Sequence, residues 1–261
     1  MPHSNETMWV KQIGRTSFNR LYPHKNISVH CSWLDDDAMD GFLQLMRQLD
    51  SDLCLASLDA VRKRTVFAPL RVLHSLVNNK NEFDKKIVSD YIYSALTTKK
   101  KKWSNIFEIP ADEFKFLCNM SNSHYIGLTF YSKKKLIVLY NPYLNEIGTT
   151  VAQALKAWLF DELKVFSRNK ELENPIHIEC RKKPYPLQRN SKDCGIFVLA
   201  SFLCEITNTP QTFNEGDMHI LRQLIIDSFM KGKIDVSIFD TIKLTIYMAL
   251  FKFIFADRKV S

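Results

Sequence analysis

The sequence predicts an α+β fold, a central mixed β-sheet flanked by helices, and three observations carry that prediction. Residues 123–131 and 136–140 are rich in β-branched and aromatic residues, and Ser132-Lys133-Lys134-Lys135 joins them as a hairpin turn would. Met39, Phe42, Leu43, Met46 and Leu49 recur at helical spacing, as do Leu155, Trp158, Leu159 and Leu163. Residues 176–180 alternate apolar and polar side chains like a strand, and a helix beginning at Cys194 turns Ile196, Phe197, Leu199, Ala200 and Leu203 inward.

Taken in order, residues 1–30 read as an irregular N-terminal extension and residues 31–261 as one domain. Asp35 or Asp36 caps the first helix. Residues 51–76 and 82–97 carry further helical patterns, and Lys99 to Lys102 close that region before Trp103. A strand near Phe114 to Met120 precedes the hairpin, and Thr149 or Thr150 caps a helix running to about Phe166. After the Cys194 helix, two C-terminal helices are expected over about 216–231 and 235–256. The last contains the apolar run 244–251, but Asp240, Lys243 and Lys252 interrupt it. A spanning helix needs about 20 apolar residues, so a packed helix is expected and no transmembrane segment.

Composition narrows the class of function. The chain has 261 residues, 46% of them hydrophobic, enough for one core. Its six cysteines (31, 54, 118, 180, 194 and 204) show no CxxC spacing and no Cys/His cluster, which argues against zinc and against a secreted disulfide framework. The start, Met1 to Thr7, lacks a basic segment followed by an apolar core, so no secretory signal is expected. An intracellular protein of the nucleus or cytoplasm, a monomer without metal or organic cofactor, is the expectation. The net charge of +8, with basic runs at 99–102, 133–135 and 181–183, favours acidic partners. Without a nucleic-acid motif or an aromatic-basic stripe, nucleic acid is not among the expected ones.

Leu187-Gln188-Arg189-Asn190-Ser191-Lys192-Asp193-Cys194-Gly195-Ile196-Phe197-Val198 is the segment richest in chemistry. It places Cys194 at a helix start, where unpaired N–H groups and the helix dipole favour thiolate and are expected to lower its pKa. Gly195 lets the backbone pass close to a substrate carbonyl, and Gln188, six positions upstream, offers a side-chain N–H to an oxyanion. A thiolate nucleophile needs an imidazole, and the imidazole an orienting acceptor. His124 and Asn141 stand at the two open ends of the hairpin and fit those roles. The other histidines (3, 24, 30, 74, 177 and 219) have no such hairpin partner.

This constellation resembles the ubiquitin-like-protein-specific cysteine proteases, the sentrin/SUMO protease family, with its papain-like fold. The family's nucleophile segment, Gln-x-Asn-x-x-Asp-Cys-Gly, is matched by Gln188, Asn190, Asp193, Cys194 and Gly195. The family places its third triad member seventeen residues after the catalytic His, the spacing of His124 and Asn141. Trp33-Leu34-Asp35-Asp36 is similar to the Trp-Leu-Asn-Asp segment that supplies an aromatic wall of the substrate channel. The likeness covers about residues 30–231. It implies catalytic roles for Cys194, His124, Asn141 and Gln188, and substrate-binding roles for Trp33, Tyr125, Asn190, Asp193 and Gly195. It implies cleavage after the diglycine tail of a ubiquitin-like modifier. SUMO is favoured because its relevant face is acidic, and ubiquitin is the alternative.

Two positions depart from the family. Asn141 stands where Asp is usual, and Tyr125 where SUMO proteases usually have Trp. Asn can orient an imidazole but cannot offset the charge of an imidazolium, so a working but slower enzyme is expected. Competing readings of the same residues are a deubiquitinase or viral-type processing protease, an acetyltransferase on the same scaffold, and a modifier-binding module that has lost catalysis.

Overall fold

The computed structural model describes residues 13–14, 21, 34–56, 64–70, 72, 89–90, 92–93, 102–120, 123–143, 148–169, 171–180 and 185–236. Trp33, most of the expected N-terminal extension, Lys99 to Lys101, Arg181 to Lys183 and the helix expected over 235–256, apart from Asp235 and Val236, lie outside the described residues.

Five strands form one sheet in the order β1 (Thr65–Phe67), β2 (Glu113–Met120), β3 (His124–Tyr131), β4 (Leu136–Tyr140), β5 (His177–Cys180). The β1/β2 and β4/β5 pairs are parallel and the two central pairs antiparallel, so the sheet is mixed. Helices α1 (Asp36–Ala56), α2 (Thr149–Ser167), α3 (Cys194–Ile206) and α4 (Met218–Lys231) flank it.

Alternation along the strands divides the core in two. Phe114, Phe116 and Cys118 of β2 and Ile126, Leu128 and Phe130 of β3 pack with Val151, Leu155, Trp158 and Leu159 of α2. On the opposite face, Leu117 and Tyr125 join α1, α3 and α4 in a second cluster around Phe42, Phe197, Phe202 and Phe229. Every residue of α3 except Glu205 is buried, so this helix runs through the middle of its layer.

At Gly127 the backbone of β3 lies directly against side chains of α3. A Cβ on Gly127 of β3 would lie 2.9 Å from both Phe202 and Val198 of α3. A buried ammonium reinforces the contact: Lys115 of β2 pairs with Glu205 of α3, lies 3.6 Å from Glu113, and stands 5.0 Å over the ring of Phe202. A charge so far from water persists only where counter-ions surround it.

Several local expectations are corrected. Residues 51–76 are not one further helix: α1 runs on to Ala56, and Thr65–Phe67 form strand β1. Three β-favouring residues are a weak local signal, and their pairing partners, Glu113 to Lys115, lie nearly fifty positions downstream. Neither Thr149 nor Thr150 caps α2; the cap is Gly148, at φ 105°, and it makes no side-chain bond. Before the helix over 218–231, a 3-10 turn, Glu215–Asp217, is capped by Asn214 in a capping box. Asp35 does cap α1, accepting the Ala38 N–H at 3.1 Å. Among the described residues, no helix is long and apolar enough to cross a membrane.

Candidate active site

The loop before Cys194 folds around one side chain. Asn190 Oδ1 accepts the backbone N–H groups of Lys192 (2.9 Å) and Asp193 (3.1 Å), while Nδ2 donates to Asp193 Oδ2 (2.8 Å) and to Glu215 Oε1 (2.6 Å). Asp193 is the N-cap residue of α3 but makes no cap bond. Its carboxylate instead accepts from Arg222 of α4, through Nη2 at 2.6 Å and Nε at 3.2 Å, in a pair that is buried on both sides. Asn190 and Asp193 therefore have polar groups committed to shaping the nucleophile loop.

Cys194 is buried, and its Sγ accepts the backbone N–H of Tyr125 at 3.5 Å. The residue after His124 thus touches the thiol, which places the start of β3 against the start of α3. His124 Nε2 lies 2.8 Å from Asn141 Oδ1. Tyr143 donates its backbone N–H to that same Oδ1 at 3.0 Å. A backbone N–H only donates, so the shared Asn141 atom is the oxygen, and His124 Nε2 must carry the hydrogen. Nδ1 is then the atom with the free lone pair, and it is buried with no protein partner. The geometry leaves this nitrogen available as a base.

The same logic assigns the Gln188 amide. Asn190 Oδ1 already accepts two backbone donors, so Gln188 meets it with Nε2, at 3.1 Å. One N–H of that Nε2 remains, and Oε1 is buried without a partner. Gln188 also donates its backbone N–H to Pro142 O at 3.0 Å, tying the loop to the residue after Asn141. A cleft of about 540 Å³, with Tyr143, Tyr185, Leu187 and Phe213 in its walls, opens beside Gln188.

Burial dominates the acid–base balance. It pushes the Cys194 thiol above its ordinary value, against the opposing pull of the N–H groups of Tyr125 and Gly195. It pushes His124 below the ordinary imidazole value, while the bond from Asn141 pulls the other way. Both shifts favour the uncharged forms, thiol and imidazole. The expectation of a lowered cysteine pKa is overturned because desolvation of the sulfur outweighs the donors around it.

Tyr125 is buried, and its hydroxyl donates to Asp36 Oδ1 at 2.6 Å and lies 3.2 Å from Leu34 O. Asn119 donates to the same Asp36 oxygen at 2.8 Å. The start of α1 is thereby fastened to β2 and β3 immediately after Trp33. A Cβ on Gly195 would stand 3.0 Å from Met39 Sδ and 3.2 Å from the Tyr125 ring, so α1 and β3 close on the nucleophile helix there.

Sequence reasoning missed two residues that hold this site. Tyr143 packs on His124 in a tilted contact, with centroids 4.8 Å apart and planes at 44°, and donates its hydroxyl to Asn190 O. Its position two residues after Asn141, beyond a Pro, was the available signal. Arg222 gave no signal, since an Arg inside an amphipathic helix reads as a solvated residue until its buried acid is known.

A thiol at a helix start, touched by the residue that follows an imidazole held by an acceptor at the open end of the same hairpin, is the arrangement expected of a cysteine peptidase. The chain belongs to the Ulp1 protease family: the family's C-terminal catalytic domain matches residues 32–238, and the protein is a cysteine peptidase. No curated protein sequence matches it. Among solved structures it is similar to the SUMO protease Ulp1 with its catalytic cysteine oxidised to a sulfonic acid, at TM-score 0.59 and 16% identity over 89% of this chain and 96% of that one. It is similar to the Ulp1 protease domain in complex with SMT3, the yeast ortholog of SUMO (TM-score 0.58, 16% identity, 88% and 96% covered). The Ulp1-like SUMO protease catalytic domain of Chaetomium thermophilum also matches (TM-score 0.57, 15% identity, 89% and 91% covered).

Proposed function

We propose that this peptidase hydrolyses the peptide or isopeptide bond after the diglycine tail of a SUMO-type modifier, with residues 31–261 as its catalytic domain. The observation that carries the reading is the bare Nδ1 of His124, held by Asn141 through Nε2 next to the strand residue that touches Cys194 Sγ. Nδ1 takes the thiol proton as Sγ attacks the glycine carbonyl. The remaining N–H of Gln188 and the backbone N–H of Cys194 hold the oxyanion. The imidazolium returns the proton to the departing lysine amine, and water then hydrolyses the thioester, regenerating the thiol.

Asn141 orients the ring without countering its charge. Gly195 and Tyr125 shape the passage for a thin glycine tail, Trp33 being the further wall that the family resemblance implies, and Asn190 and Asp193 keep the loop beneath it in register. The complex of Ulp1 with SMT3 and the net charge of +8 support an acidic modifier as substrate. Action in the nucleus or cytoplasm is part of this reading, and Cys54, Cys118, Cys180, Cys194 and Cys204 form no disulfide among the described residues.

The test is to mix the chain and its Cys194→Ala variant with SUMO types, ubiquitin and other modifiers carrying an electrophile at the C-terminal glycine. A covalent band with a SUMO type that disappears in Cys194→Ala supports the reading. A band with ubiquitin alone replaces the modifier, and no band with any modifier overturns the reading.

A further inference from the structure

The hairpin that carries His124 and Asn141 at one end presents a different surface at its turn, roughly 20 Å away along an eight-residue strand. A cleft of about 440 Å³ lies there, between the β3–β4 turn and the 3-10 turn Ile106–Glu108. Its floor is apolar, with Phe107, Ile109 and Pro110, and Phe166 of α2 forms one wall while remaining 49% exposed. Next to it, Val165 is 71% exposed.

The charges at the rim are unequal. Lys133 is paired with Asp112 at 2.6 Å, which neutralises the acid of the cleft. Lys135 has no carboxylate partner among the described residues: its ammonium stands 4.3 Å over the ring of Phe107, and it is partly desolvated there. Lys134 likewise faces a ring, Tyr131, at 5.7 Å. A partly desolvated cation above an apolar floor, with no carboxylate opposite it among the described residues, is an incomplete interaction. The turn that presents it holds Lys135 at φ 51°, a conformation that a side-chain-bearing residue adopts at some cost.

We infer that this cleft docks an acidic peptide segment, setting one large apolar side chain against Ile109, Pro110 and Phe166 and a carboxylate against Lys135. The volume suits one or two side chains. A membrane would need the apolar residues to protrude, whereas most of these line a concavity. RNA stacking would need free ring faces, and Phe107 and Tyr131 already carry lysines. The site is independent of the modifier reading, since none of its residues touches Cys194, His124 or Gln188.

The test is fluorescence anisotropy of the full chain with a short labelled peptide in which a Leu-Phe pair is flanked by Asp and Glu. Controls replace the acids by Gln or the Leu-Phe pair by Ser. The expected result is binding that both replacements weaken, that salt weakens, and that Lys135→Gln and Phe166→Ser each reduce by roughly five- to tenfold. Labelling of Cys194 by a modifier electrophile should be unchanged in both variants, which also shows that they are folded. The inference is overturned if the acidic peptide binds no better than its controls, or if binding survives both substitutions. It is also overturned if phosphatidylserine vesicles or single-stranded RNA bind the cleft and the peptide does not.

Discussion

The two ends of the β3–β4 hairpin are made of the same strands and are physically opposite. At the catalytic end the buried polar atoms are tightly specified: His124 Nε2 and the Tyr143 N–H converge on one Asn141 oxygen, and the neighbouring loop is fixed through Asn190, Asp193 and Arg222. At the turn end the lysines stand in solvent or over rings, and the Lys133 side chain is 84% exposed even in its ion pair. The difference teaches where substitutions should matter. Buried, mutually dependent polar groups are costly to disturb, whereas exposed charges govern encounter and contribute little to stability.

The largest expected effect lies in the pair that secures the nucleophile loop. Arg222→Met leaves the Asp193 carboxylate buried without its cation and should destabilise the protein by about 3–5 kcal/mol. Urea unfolding measures this, and adding Asp193→Asn should recover a large part of the loss. If the single variant is as stable as the parent, the catalytic end is not the rigid region described.

Next comes Asn141→Ala, which removes the acceptor that orients His124. A fall of about a hundredfold in kcat/KM is expected, with stability changing far less, from assays on a modifier conjugate.

The comparison sharpens with pH. His124 is held below the ordinary imidazole value by burial, so the acid limb of kcat/KM should lie below pH 6.5. The unfolded imidazole takes its proton at the ordinary value and the folded one only at lower pH. Between the two, the unfolded state binds more protons, and stability falls as pH drops. Asn141→Asp introduces a carboxylate that favours imidazolium and should move the activity limb upward by about one unit or more.

The smallest effect belongs to the turn. Lys133→Ala removes an exposed ion pair and should change stability by no more than about 1 kcal/mol in the same urea experiment. A larger loss would erase the contrast between the two ends.

What was legible in the sequence follows the same division between local and distant. The hairpin, the seventeen-residue spacing and the helix at Cys194 could be read because each is set by residues near in the chain. Strand β1 was lost among helical patterns because Thr65–Phe67 is defined by its partners in β2. Burial decided the sign of the Cys194 shift, and burial depends on α1 and β3 closing over Gly195, which no local pattern records. Arg222 was invisible for the same reason: its role exists only once α4 packs under the nucleophile loop.

Gly127 has one more implication. Contacts made by side chains have slack, because a rotamer can turn to absorb a misfit, but the face that β3 presents to Phe202 and Val198 has no side chain to turn. The gap between sheet and helix is therefore set on the strand side by a missing methyl group and on the helix side by the Phe202 and Val198 side chains. His124 lies three residues along the strand from that point, and Cys194 begins the helix on the other side of it. The spacing between the strand that carries His124 and the helix that Cys194 begins is then held in part by the smallest residue in the chain.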